Sequence, residues 1–177
     1  MTIERIQRVS RVMSALCLIG MVGLPASLGL AWAYPELLGS AYPALESQWG
    51  PPGAVPWTSR VLGFLVTMVP TGVVIYGLLC LRRLFRLYEA GEIFSADAAR
   101  CLKRFAVAVT LQALLRPLAG AAISVIVTFH HPPGERMLTL SLGGGEYAAL
   151  LLGGLLLVIA WIMGESARIA DENRQFV

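Results

Sequence analysis

Arg116 stands inside an apolar run, 105–129, whose other polar members are Thr110, Gln112, Ser124 and Thr128. A guanidinium within hydrocarbon costs at least about 2.5–3.5 kcal/mol on insertion scales, so its placement calls for partners. Gln112 lies one turn earlier on the same helical face. Thr67, Thr71 and Tyr76, in an earlier apolar run at 61–81, offer oxygen acceptors. Pro117 cannot donate to the carbonyl of Ala113 one turn back, which frees a further acceptor. The apolar runs contain no Asp or Glu. A carboxylate partner for Arg116 is therefore not expected, and the residue is expected to face the interior of a helical bundle. Arg116, Gln112, Thr71 and Tyr76 form a candidate intramembrane polar site. Two chemistries suit it: a buried polar clasp between helices, or binding of an anion or lipid headgroup through a cavity.

Other reactive groups are sparse. His130 and His131 are adjacent and precede Pro132-Pro133-Gly134, with Glu135 and Glu146 as further donors. Two imidazoles fall short of the three or four protein ligands of a usual zinc site, so a solvated loop pair is the expectation. Phosphate loops, nucleophile elbows, zinc-helix motifs and carboxylate dyads are missing. Gly143 to Gly145 has no strand-to-helix context. Cys17, Cys80 and Cys101 have no metal-like spacing and are odd in number, which argues against a disulfide framework. The sequence thus points away from an enzyme and implies no cofactor and no metal.

The elements that must position these residues are membrane helices. The chain of 177 residues is 56% hydrophobic and 14% charged, where a soluble domain carries nearer a quarter charged residues. Four apolar runs, 13–33, 61–81, 105–129 and 147–164, approach the roughly 20 helical residues that cross a bilayer. Backbone polar groups in lipid must be satisfied within the segment, so each run is expected to be an α-helix. The expected fold is all-α, an integral membrane four-helix bundle in a single domain. Loops 34–60 and 130–146 would lie on one side. A hairpin at 82–104 and a tail at 165–177 would lie on the other. Pro25, Pro70 and Pro117 place a proline in each of the first three runs, and Gly153-Gly154 falls at the corresponding depth of the fourth. The N-terminal run also has the parts of a signal peptide, a basic leader and an Ala31-Trp32-Ala33 ending. Its apolar stretch exceeds the usual h-region of about 7–15 residues, which favours a retained helix.

Lys and Arg near the span ends set the expected orientation. Arg5, Arg8 and Arg11, then Arg82, Arg83, Arg86, Arg100, Lys103 and Arg104, then Arg168 and Arg174 fall on one side; Arg60 and Arg136 fall on the other. Both termini and the hairpin are expected to be cytoplasmic, in a multi-pass protein of a bacterial inner membrane. Trp32, Tyr34, Tyr42, Trp49 and Trp57 would form an aromatic belt at the outer face. The positive-inside rule accounts for the arginines, so nucleic acid is not an expected partner.

The hairpin is patterned as two helices. Leu81, Leu84, Phe85 and Tyr88 recur at helical spacing, continuing the second span. Gly91 suits a left-handed cap, Ser95 an N-cap, and Asp97 the first turn of the next helix. Ile93 and Phe94 would close the turn as an apolar clasp. The tail keeps Glu165, Arg168, Asp171 and Glu172 at helical spacings. Its acids are expected to face the hairpin arginines, with Ile169 and Phe176 against Phe85 and Ile93-Phe94. The resulting candidate surface for docking a cytoplasmic partner comprises Arg82, Arg83, Arg86, Phe94, Arg100, Glu165, Asp171 and Glu172; the simpler alternative is a rigid hairpin whose arginines contact lipid phosphates.

Two stretches carry a family resemblance. "RLFRLYEAGEIFSADAARCLKRFA" and the ending "ESARIADENRQFV" resemble the central motif and tail of an uncharacterised bacterial membrane-protein family, domain of unknown function 2975. The resemblance implies the four-span plan and transfers no catalytic residues. Members are often encoded near small helix-turn-helix regulators, which implies a signalling pair. The reading is a non-enzymatic membrane protein of regulatory or sensory type; the alternative is a small transport or accessory subunit working around Arg116.

Overall fold

A computed structural model of the chain describes residues 3–34, 56–92, 95–129, 138, 140 and 142–174. Four long helices account for nearly all of them: α1 (Ile3–Ala33), α2 (Trp57–Glu89), α3 (Ala96–Thr128) and α4 (Gly144–Arg174). The described residues include no strand. Each of the four is long and apolar enough to cross a membrane, and each apolar run of the sequence falls on its own helix. Large apolar side chains such as Val22, Leu65, Leu118 and Trp161 are exposed, as they must be where the solvent is lipid tails.

The helices pack antiparallel in chain order, α1 on α2, α2 on α3, α3 on α4. The side chain of Gln7 in α1 donates to the backbone oxygen of Glu89 at the end of α2, while Trp32 at the far end of α1 donates to Thr67 near the start of α2. Ser59 donates to the backbone oxygen of Ile126 across α2 and α3. The start of α1 and, with Gly164 beside Ala99, the end of α4 therefore lie at the same end as the α2–α3 turn, called the basic end below.

Small residues set the helix spacing. Lipid tails give no hydrophobic drive for helix association, so close backbone approach through Gly and Ala supplies the contact. Ala98, Ala99, Ala106, Ala108 and Ala113 of α3 are all buried. A Cβ at Gly77 of α2 would meet the methyl of Ala108 at 3.2 Å, and one at Gly153 of α4 would meet the hydroxyl of Thr110 at 2.3 Å. Gly63 is filled on its open side by the indole of Trp32. Trp32, expected in an interfacial belt, is thus buried between helices. Its ring needs a glycine-shaped recess and its N–H a partner, and Gly63 and Thr67 provide both. Trp57 and Tyr34 remain exposed; Tyr42 and Trp49 lie outside the described residues.

The core is unequal along its length. At the basic end Leu84, Ala98, Cys101, Leu102 and Ala160 form one cluster, joined by Leu81, Tyr88, Phe105 and Met163, so α2, α3 and α4 meet there. At the opposite end Trp32 and Ile123 pack with Leu28, Phe64 and Val66, from α1, α2 and α3. The neighbours across the α3–α4 contact explain the difference: Gly164 sits by Ala99 and Gly153 by Thr110, which sets the first turn of α4 beside Arg116. The last dozen residues of α3 run on beyond the start of α4.

The turn between α2 and α3 has the caps the sequence predicts. The Glu92 N–H bonds to the Leu87 carbonyl and the Gly91 N–H to that of Tyr88, the two bonds of a Schellman motif. Gly91 has φ +85°, a conformation a Cβ would strain. Ser95 accepts from the Ala98 N–H at 3.1 Å, and Asp97 occupies the first turn of α3. Ile93 and Phe94, the expected clasp, lie outside the described residues.

Candidate functional site

Arg116 departs from the sequence expectation in both direction and partner. Its side chain is 70% exposed rather than turned inward, and its Nε lies 3.5 Å from Oε1 of Glu146. Glu146 sits outside the fourth apolar run, which hid it as a partner. The low placement of α4 brings that residue to the depth of Arg116. Arg116 also stays close to the middle of the apolar layer. It stands about 18 Å along α3 from Arg104, measured at 1.5 Å rise per residue, in an apolar layer of about 30 Å.

Glu146 serves two roles. Its Oε2 accepts the Gly143 N–H at 2.9 Å, and the Tyr147 N–H reaches the Gly143 carbonyl at 3.4 Å. Gly143 is therefore the N-cap and Glu146 the third helical residue, the position from which Glu completes a capping box. The carboxylate also lies where the helix dipole favours negative charge. It is only 13% exposed. At 3.5 Å the arginine contact is longer than a charge-assisted hydrogen bond of about 2.7–2.9 Å, so it is an ion pair held by charge. The arrangement is a polar clasp between α3 and α4, where the sequence led one to expect α3 and α2.

The other members of the expected polar site are dispersed. Thr71 donates to the Thr67 carbonyl within α2. Thr67 donates to its own helix and accepts from Trp32. The Oε1 of Gln112 is buried without a hydrogen-bond partner. Tyr76 lines a cleft nearer the basic end, with Arg100, Lys103, Arg104 and Val107. That cleft was not expected: its three cations belong to the positive-inside count, and only the approach of α2 to α3 sets Tyr76 against them.

The expected docking residues are also redistributed. Glu165 pairs with Arg168 on its own helix, and Arg100 pairs with Asp97 on its own helix. The expected cross-pairing of tail acids with hairpin arginines is not made by these two residues, because a partner three positions away is already within reach. Arg82 has its Nε buried without a partner, and its charge bears on Cys17 of α1. Arg83 and Arg86 are exposed. The α4 extension does pack against the hairpin arm formed by α3: Ala167 is buried and Gly164 lies against Ala99. Ile169 is half exposed. Asp171 and Glu172 lie on α4, but their side chains, like Phe94, His130, His131 and Glu135, lie outside the described residues. Among the described residues no group of three or more His, Cys, Asp or Glu side chains is placed to hold a metal.

Fold and site together define an all-α, four-span, multi-pass membrane protein. The chain belongs to the family described as "Protein of unknown function (DUF2975)", whose profile matches residues 26–176. No curated protein matches the chain, and no solved structure does.

Proposed function

We propose that this chain is a non-enzymatic regulatory or sensory membrane protein that docks a soluble cytoplasmic partner at its basic end. The observation that carries the reading is the inequality of the core. α2, α3 and α4 share one buried cluster at the basic end, and α1 is tied to the same end through Gln7 and Glu89. Beyond that cluster α2 is capped at Gly91 and α3 at Ser95, and Arg83, Arg86 and Arg100 are exposed around these caps. A surface fixed by packing and caps presents charge without a large ordering cost on binding. Displacement within the bilayer reaches this platform directly, because α3 contacts both α2 and α4.

The transport alternative rested on Arg116 facing an internal cavity. With Arg116 outward and paired to Glu146, that support is gone, and the pair reads better as a helix clasp.

The test is photocrosslinking in intact cells. A photoreactive residue at Arg86 is expected to give one discrete adduct with a soluble protein; the same residue at Trp57 is expected to give none. The captured protein, once purified, should bind the full chain in nanodiscs, and R83E/R86E should weaken that binding. Adducts with lipid alone at Arg86, or flux in proteoliposomes abolished by R116L, would overturn the reading.

A further inference from the structure

The cleft at Tyr76 has a chemistry that neither the fold nor the docking reading uses. It has a volume of about 310 Å³ and is lined by Tyr76 of α2 and by Arg100, Lys103, Arg104 and Val107 of α3. Arg100, Lys103 and Arg104 are three and four residues apart, so they share one helical face. Asp97 engages Arg100, which leaves Lys103 and Arg104, both exposed, as the lining cations with no side-chain acid against them among the described residues.

The opposite end of the cleft is apolar. Gly77 lies against Ala108, so Tyr76 and Val107 sit one to two turns deeper in the apolar layer than Lys103 and Arg104. Val107 is 48% and Tyr76 49% exposed. The cleft therefore runs from a cationic mouth to an apolar wall along the membrane normal. A soluble anion would use only the mouth. A phospholipid would use both, with its phosphate among the cations and the first carbons of an acyl chain against Val107 and the Tyr76 ring. Basic pockets between membrane helices suit anionic headgroups, each nearby Lys or Arg contributing roughly fivefold in affinity.

We propose that this cleft is a binding site for an anionic phospholipid of the leaflet at the basic end, with Lys103 and Arg104 holding the phosphate and Val107 and Tyr76 the acyl chain. The site is distinct from the basic charge of α1 and from Arg82, which does not line it.

The test titrates phosphatidylglycerol into the full chain in phosphatidylcholine nanodiscs, with bound lipid counted by native mass spectrometry and stability by thermal shift. Wild type is expected to retain one phosphatidylglycerol and to be stabilised by it. K103Q/R104Q should weaken binding about 25-fold, the product of two fivefold losses. V107W should weaken it with the cations intact. R8Q/R11Q, which removes two exposed cations of α1, should leave the bound lipid in place. Equal losses in K103Q/R104Q and R8Q/R11Q would show diffuse attraction only. Stabilisation by inorganic phosphate that matches the lipid and is untouched by V107W would show a free-anion site. Either result overturns the proposal.

Discussion

Gly153 and Gly154 are neighbours in sequence and opposites in structure, so alanine at each makes a sharp test of the α3–α4 contact. A Cβ on Gly153 would lie 2.3 Å from the Thr110 hydroxyl, 3.2 Å from the Thr110 nitrogen and 3.4 Å from the Ala106 carbonyl; one on Gly154 meets nothing within 4 Å. The Thr110 hydroxyl can rotate away only by giving up its bond to the Ala106 carbonyl. The backbone nitrogen cannot rotate at all, so α4 must back off by a few tenths of an ångström. Overpacking of this kind costs about 1–3 kcal/mol. Both substitutions gain the same helix propensity, about 1 kcal/mol, so the difference between them isolates the clash. G154A is expected to be neutral or stabilising, and G153A about 1–3 kcal/mol less stable than G154A. T110A removes the closest contact and should recover more than half of that difference when combined with G153A. Unfolding in mixed micelles at fixed lipid composition, followed by loss of helical circular dichroism, measures all four variants. Equal stability of G153A and G154A, or no recovery with T110A, would refute the close approach of the two helices at this point.

Further predictions follow from the caps, the clasp and the charge. E146Q should destabilise more than R116L: it leaves a cation unpaired in the apolar layer, whereas R116L leaves a carboxylate still bonded to the Gly143 N–H. The double variant should be more stable than E146Q alone, and the same unfolding assay would show it. S95A removes the hydroxyl that accepts the Ala98 N–H and should cost about 0.5–2 kcal/mol, with hydrogen exchange rising first in the opening turn of α3. A cysteine at exposed Trp57 should react with an impermeant maleimide on intact cells, and one at Arg86 only after permeabilisation. The reverse pattern would invert the proposed orientation.

Much of the fold is readable because local rules decide it. Four apolar runs of sufficient length must be helices in lipid, whatever they pack against. Gly91, Ser95 and Asp97 announce the end of one helix and the start of the next through bonds made within a few residues, and the structure makes those bonds. The depth of one helix relative to another is not local. It follows from which small residues nest together, here Gly153 at Thr110 and Gly164 at Ala99, and the apolar runs alone would have placed α4 nearer the far end of α3. That offset brought Glu146 to Arg116, turned the arginine outward, and left Thr71 and Tyr76 to other surroundings. It is also tertiary packing that chose Gly153 over Gly154, buried Trp32 against Gly63, and set Tyr76 of α2 beside the cations of α3. Sequence spacing fixes the face a residue occupies on its own helix; the rotation and register of the neighbouring helix decide what that face meets.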